Sequence, residues 1–328
     1  MQSVIVLLNW NGWKDTIECL ESIYSMSTSD FKVVLVDNYS NDDSLDRISD
    51  WLHSENKLRW ELIKENDALP GKTNRNWQTH DLIVISNSSN YGFAGGNNVG
   101  INFALYFWEF EYLWLLNTDT TVDADALRLL IAEAVKDHSN GIVGSVLAYY
   151  HEPEIIQAIG GGKFFPYLGF AKLFMKGHHH SLLSKLSPSD IKNGINYIMG
   201  ASMLVRRTTV EDLNGLDDSY FLFAEELDFA YRAQSSGWKI AVATGSIIYH
   251  KESSSTANRK YLYFYLMAWS NIHFLKKHYS NLHLITASLF LIINSIRSKC
   301  INNVMFTMKG VFHSLCGHSV SINNLLKK

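Results

Sequence analysis

"YLWLLNTDTTVD", residues 112–123, decides how the rest of the chain is read. Tyr112 to Leu116 are apolar throughout, and Asn117, Thr118 and Asp119 follow with no linker. An apolar run of that length has the character of a strand covered on both faces. An Asp at its end is either the cap of the next helix or a ligand presented at the carboxyl edge of a sheet. The segments around it choose between the two.

The same texture recurs on the amino-terminal side. "SVIVLLNW" precedes "WKDTIECLESIYSM", in which Ile17, Leu20, Ile23 and Tyr24 recur at helical spacing. "FKVVLVDN", the helical "DDSLDRISDWLHS", "LIVISN" and the helical "NNVGINFALYFWEF" follow in turn. Strands that are hydrophobic end to end, separated by helices, predict a doubly wound α/β fold with a mostly parallel central sheet. The strands end on Asn9 and Asn11, on Asp37 and Asn38, on Asn87, and on Asn117 and Asp119. Ligands of open α/β sheets bind outside the carboxyl ends of the strands, and a helix cap explains one polar end better than four. One site assembled at that edge is the expectation.

Beyond residue 150 the texture changes. "HEPEIIQAIGGGKFFPYLGFAKLFMKGHHHSLLSKLSPSD" reads as a long, partly irregular excursion, and loops of such length inside a domain are usually functional or disordered. Its run His178, His179, His180 has no spaced carboxylate or cysteine beside it and reads as a solvated loop. "INYIMGASMLVRR" returns to strand character, and "FLFAEELDFAYRAQSSGWKIAVATGSIIYH" reads as turn, helix and strand. After about residue 255 the chain is helical, aromatic and basic. The uncharged run from Leu282 to Ile296 is short for a bilayer crossing, and Lys276, Lys277, Arg297 and Lys299 flank it. That pattern fits helices lying on a membrane surface, with a packed appendage or a homo-oligomer contact as the alternative.

Composition narrows the class. A net charge of −3 over 328 residues gives no reason to expect nucleic acid as a partner. Cys19, Cys300 and Cys316 form no CxxC pair, so neither a disulfide framework nor a zinc site is expected, which suits a reducing compartment. "VIVLL" is interrupted at Asn9, too soon for a signal peptide, and the expectation is a cytoplasmic protein, peripheral on the inner face of the membrane.

Six collinear stretches between residues 3 and 250 carry a resemblance: "VIVLLNWNG", "VVLVDNYSNDDS", "NSSNYGFAGGNNVGI", "YLWLLNTDTTVDADAL", "GASMLVRR" and "FLFAEELDFAYRAQSSGWKIA…IIYH". In this order they resemble family 2 glycosyltransferases, the inverting enzymes with the nucleotide-diphospho-sugar fold called GT-A. The likeness is to their rhamnosyltransferase-like branch of bacterial surface-polysaccharide enzymes, those of O-antigen, capsule and cell envelope. It implies a GT-A domain over residues 1–255 and a helical region over 256–328. It also implies a dTDP- or UDP-linked sugar donor, rhamnose among the candidates, and a glycan or lipid-linked saccharide acceptor.

The resemblance further implies roles. Asp37 would accept the imide N–H of the pyrimidine, an edge that suits an acceptor-only carboxylate. Asn9, Trp10 and Asn11 would form the wall beside the nucleotide. Asn90, Gly92, Gly95, Gly96 and Asn98 would form a loop where backbone approaches the nucleotide-sugar; it is not GxGxxG and does not follow the first strand. Asp119 sits in the family's Asp-x-Asp position and would hold Mg²⁺ or Mn²⁺ on the diphosphate, with His250 as a further ligand. Asn117 replaces the first Asp of that motif and, with Thr118, would touch ribose or water. Glu226 would be the general base, with Glu225 beside it and Asp228 a half-turn on; Arg232 and Trp238 read as packing residues. Two rivals remain: a catalytically inactive sugar-nucleotide-binding scaffold, because Asn117 and Glu226 stand where aspartates are common, and a nucleotidyltransferase. The latter needs a basic glycine loop after the first strand, and "LNWNGWKD" offers none.

Overall fold

The computed structural model describes residues 2–72, 75–251 and 260–320. The first half alternates as the hydrophobic pattern requires: β1 (Ser3–Asn9), α1 (Trp13–Tyr24), β2 (Phe31–Asp37), α2 (Ser44–Ser54), β3 (Trp60–Lys64), β4 (Leu82–Ser86), α3 (Gly92–Phe107) and β5 (Tyr112–Asn117). Then follow β6 (Thr120–Val122), α4 (Ala126–Ala134), β7 (Asn140–Tyr149), β8 (Ile156–Ile159), β9 (Gly161–Phe165), β10 (Phe170–Leu173), α5 (Pro188–Gly194), β11 (Tyr197–Ile198), β12 (Ser202–Arg206), α6 (Arg207–Leu213), α7 (Glu225–Ser235) and β13 (Lys239–His250). Three helices close the described chain: α8 (Lys260–His278), α9 (Asn281–Ile296) and α10 (Ile301–Leu315).

The central sheet has the order β3-β4-β2-β1-β5-β12-β7-β13-β6, with β8 paired to β7. β3, β4, β2, β1 and β5 are mutually parallel, β7 and β13 are parallel, and β12 runs against both of its neighbours. Alternate residues of each strand enter different layers, as the two-residue period of a strand dictates. Val4, Val6, Val34, Val36, Ile83 and Ile85 pack toward Ala94, Ile101 and Phe103 of α3. Ile5, Leu7, Val33, Leu35, Leu82 and Val84 pack toward Leu20 and Ile23 of α1 and Ile48 and Leu52 of α2. With both faces covered, the strands can be apolar end to end.

Two segments differ from the sequence expectation. The excursion after residue 150 is more ordered than its glycines suggested: β9 pairs with β10 and β11 into a small separate sheet. The glycine-bearing stretch expected to be a loop is the start of α3 itself, which begins at Gly92 rather than near Asn97. Its glycines permit close packing. Gly92 has φ +75°, and a Cβ there would lie 2.2 Å from the Phe221 carbonyl oxygen. At Gly96 a Cβ would lie 2.6 Å from Leu8 Cδ1. α3 therefore rests directly on β1 and on the loop that leads into α7.

α8 is part of the same core. Phe274 meets Phe164 edge-on at 5.2 Å, Asn271 Nδ2 donates to the Gly169 carbonyl at 3.0 Å, and Ile272 and Leu275 are fully buried. The expected boundary at residues 255/256, like residues 321–328 of the helical region, lies outside the described residues. No helix among the described residues is long and apolar enough to cross a membrane.

Gly92→Ala forces a left-handed φ on alanine and a side chain onto a carbonyl. It should cost about 3 kcal/mol or more and lower the thermal midpoint by several degrees. An unchanged melting curve would mean that α3 and the 221 carbonyl do not meet.

Candidate active site

The parallel register delivers the strand ends side by side: Asn9 is level with Asp37, Asp37 with Ser86, and Leu8 with Asn117. These polar ends bond to one another first. Asp37 is 1% exposed; its Oδ1 accepts from Asn9 Nδ2 at 2.7 Å and from Ser40 Oγ at 2.6 Å, and its Oδ2 accepts from the Ser40 N–H at 3.0 Å. Asn9 Oδ1 accepts in turn from Thr16 Oγ1 at 2.9 Å. Asn38 is a second node. It donates to Asn90 Oδ1 and to the Gly92 carbonyl, and it accepts from Asn87 Nδ2 and the Tyr91 N–H.

The turns after β1 and β2 are cross-tied as well. The Asn11 N–H donates to Ser40 Oγ at 2.9 Å, and the Asn41 N–H donates to Asn11 Oδ1 at 2.9 Å. Asn11 and Tyr39 both have positive φ, 53° and 66°, a conformation that Tyr adopts only when its surroundings hold it there. Between them these turns hold two aromatic rings outward, Trp10 at 37% and Tyr39 at 57% exposure. Ser40 and Tyr39 were not singled out from the sequence; a serine three residues after a strand-end Asp is the pattern of an Asx turn and could have pointed to the first.

The stretch expected to form a backbone cradle opens α3. Gly92, Gly95 and Gly96 lie inside α3. Asn98 is turned to the loop before α7, where it donates to the Leu216 carbonyl at 2.7 Å and accepts from the Leu216 N–H at 3.0 Å. Asn90 Oδ1 accepts from the Gly92 N–H at 2.9 Å, where α3 begins.

Asp119 and His250 do come together. β6 pairs antiparallel with β13, which sets Thr120 opposite His250, and Asp119 Oδ1 lies 3.2 Å from His250 Nε2. Both residues are buried, at 8% and 6% exposure. His250 Nδ1 is 2.9 Å from Gln157 Oε1. An amide oxygen only accepts, so Nδ1 is the donor there and Nε2 is the ring nitrogen that faces the Asp119 carboxylate. A proton or a divalent cation between the two satisfies that arrangement, and an outer partner that fixes the ring is a regular feature of metal-ligating histidines. No group of three or more His, Cys, Asp or Glu suited to a metal occurs among the described residues. Two protein ligands suit a cation whose remaining positions go to phosphate and water. Asn117 is held at the edge by its N–H, which donates to the Ala201 carbonyl at 3.1 Å, and Thr118 Oγ1 donates to the Leu8 carbonyl at 3.3 Å.

The three acids at the start of α7 have three different environments. Phe223 and Ala224 precede them with φ of 72° and 65°, so the backbone is strained at the point where it enters the helix. Asp228 is sealed in. Burial alone would raise its pKa, but hydrogen bonds from His278, Arg232 and Lys277 hold its carboxyl well below the usual range. The distances are 2.6, 2.6 and 2.9 Å. Glu225 is buried, and its Oε2 has no hydrogen-bond partner; burial, then the neighbouring Glu226, pushes its carboxyl well up. Glu226 retains partial exposure, and the protein packed around it raises its pKa to about 7. It stands over the turn between β11 and β12, where a Cβ on Gly200 would lie 3.8 Å from Glu226 Cβ and 3.5 Å from the Phe93 ring.

Asp37→Asn sets an amide NH₂ against donors from Asn9 or Ser40. It should cost about 1–3 kcal/mol of stability and weaken uridine or thymidine diphosphate binding in calorimetry. A fall in melting temperature with affinity unchanged would make Asp37 purely a latch between β1 and β2.

The glycosyl transferase family 2 model matches residues 4–184, and the glycosyl transferase family group 2 model matches residues 112–315. A low-salt glycan biosynthesis hexosyltransferase of Haloferax volcanii is 26% identical over 161 residues, 49% of this chain and 49% of that protein. An N-acetylglucosaminyl-diphospho-decaprenol L-rhamnosyltransferase of Mycobacterium tuberculosis is 29% identical over 72 residues, 22% of this chain and 23% of that protein. The matches thus span about half and about a quarter of these relatives. Among solved structures, a Pyrobaculum calidifontis mannosyltransferase in complex with GDP-mannose and Mn²⁺ aligns with TM-score 0.54 at 14% identity, over 99% of this chain and 78% of that one. GalNAc-T7 with UDP, GalNAc and Mn²⁺ aligns with TM-score 0.62 at 13% identity, over 97% of this chain and 57% of that one. At such identities the likeness is one of fold, and that fold is GT-A. With the family model matching more than half its length, the chain belongs to glycosyl transferase family 2.

Proposed function

We propose that the protein is an inverting glycosyltransferase that moves a sugar from a nucleotide-diphosphate donor to a hydroxyl of a glycan or lipid-linked acceptor, with Glu226 as the general base. The observation that carries this reading is the contrast within the α7 acids. Asp228 is saturated with donors and held ionised, Glu225 is enclosed, and Glu226 alone combines partial exposure with a pKa near 7. A general base works best when its pKa lies near the working pH.

The nucleotide lies across the β1 and β2 ends, with its base against Trp10 and Tyr39. The acceptor hydroxyl gives its proton to Glu226 and attacks the anomeric carbon from the face opposite the diphosphate. The bond from that carbon to the diphosphate oxygen breaks, and the nucleoside diphosphate leaves with inversion. A divalent cation held by Asp119 and His250 supplies charge neutralisation on the diphosphate when bound. The relatives' names support a hexose, rhamnose among them, and a polyprenyl-diphosphate-linked acceptor; the Mn²⁺ of the similar folds supports a divalent cation.

Since Glu226 accepts a proton only when ionised, kcat/KM should climb with pH through about 7 and level off above it. That acidic limb belongs to the Glu225–Glu226 pair as a unit. Glu226→Gln should remove the limb and lower turnover roughly 10²–10⁴-fold with donor affinity retained. Asp228→Asn should act mainly through stability, costing about 3 kcal/mol. Its contribution is present above the ordinary Asp range and is lost as pH falls, because its pKa is lowered in the fold. If Asp228→Asn in a stable protein abolishes turnover while Glu226→Gln does not, the base is misassigned. A protein that binds donor and never hydrolyses or transfers it is the scaffold instead.

The metal assignment has a readout apart from activity. Mn²⁺ should raise the melting temperature of the wild type by mass action, and Asp119→Ala should lose that shift together with turnover. Full turnover in excess EDTA would sink it.

A further inference from the structure

The last two helices bury small and polar residues beside Leu284, Leu291 and Val311, and they leave rows of large apolar residues exposed. α10 turns Asn303, Thr307, Gly310, Val311 and Ser314 inward. Its outer face carries Ile301, Met305, Met308 and Phe312 at 71, 58, 50 and 61% exposure. α9 buries Ala287 and Ser295 and leaves Leu282, Ile285, Leu289 and Ile293 exposed by 57, 59, 57 and 60%. Gly310 lets α10 sit tightly on α8, since a Cβ there would lie 2.4 Å from the Tyr265 carbonyl oxygen. Small and polar residues between helices with large apolar ones outside is the packing of helices surrounded by lipid. It is the reverse of a water-facing amphipathic helix.

Two further observations extend the face. The tip between β9 and β10 stands beside α9, with Tyr167 4.1 Å from His283, ring centre to ring centre, and Phe170 6.5 Å from Phe290; Tyr167 and Phe170 are 53% and 42% exposed. From residue 253 to the end the sequence contains no Asp or Glu, while Arg297, Lys299 and Lys309 are exposed on or between the two helices. At about 1.5 Å per residue, the 16 residues of α9 and 15 of α10 fall short of a hydrocarbon core about 30 Å thick. Such helices lie in the interfacial layer.

We propose that α9, α10 and the β9–β10 tip form a face that seats the protein in the interfacial layer of an anionic phospholipid bilayer. A bilayer fits better than a second copy of the chain, because a second copy would bring the same uncompensated positive charge to the contact. Anionic headgroups supply the missing sign, and the apolar rows and tyrosine supply insertion. The proposal does not depend on the reaction assigned above.

The test is co-sedimentation of the full-length protein with phosphatidylcholine vesicles, with and without phosphatidylglycerol. Binding is expected on the mixed vesicles, weaker on phosphatidylcholine alone, and falling as salt is raised. The double substitution Leu289→Glu with Ile293→Glu should weaken partitioning at least about tenfold, with donor hydrolysis in solution unchanged. Arg297→Glu with Lys309→Glu should remove only the preference for anionic vesicles, which keeps the test readable if the first variant misfolds. No sedimentation with either vesicle overturns the proposal. So does a concentration-dependent dimer that Leu289→Glu with Ile293→Glu dissociates in the absence of vesicle binding, since the face would then belong to a second copy.

Discussion

Parallel strands that run the same way must all end at the same edge, and whatever polar groups they deliver there have to be bonded at once. In this chain a compact lattice of amide and carboxylate side chains does most of that, with Asn87 Oδ1 left unpartnered. Asp37 takes Asn9 and Ser40, and Asn38 takes Asn87, Asn90, Tyr91 and the start of α3. Buried polar groups are costly when half-satisfied, so the lattice holds together as a unit. The turns it braces carry Trp10 and Tyr39, and the helix it anchors lies against the loop that leads to the acidic cluster. The two exposed rings and the acids of α7 are positioned by the same set of bonds.

Much of this was legible in the sequence because it is periodic or terminal. Apolar runs separated by helical patterns gave the sheet, and each polar strand end marked the edge. The pairing of Asp119 with His250 rested on motif resemblance, since no local pattern says that residues so far apart in the chain will face each other. It took β6 running back along β13 to bring them to 3.2 Å.

What was not legible has physical reasons. Glycines in "NYGFAGGNNVG" read as a loop because glycine disfavours helix interiors; they are tolerated in α3 because the helix lies too close to β1 and to the Phe221 carbonyl for any side chain. The order after residue 150 was hidden by strands of two to five residues, too short for a period to show. Asp228 resembled its acidic neighbours until Lys277 and His278 arrived from α8 to claim it. Tyr39 carried no signal beyond its position, since a left-handed backbone cannot be read from a tyrosine.

The hydrogen bond from the Phe93 N–H to the Phe221 carbonyl, 2.7 Å long, joins the first turn of α3 to the segment that feeds α7. It leaves α3 and α7 without an independent hinge at that point. A tilt of α7 would drag α3 along or break that backbone bond. The start of α7 is therefore a fixed frame, on which the size of neighbouring side chains can vary more freely than the strained turn at Phe223 and Ala224.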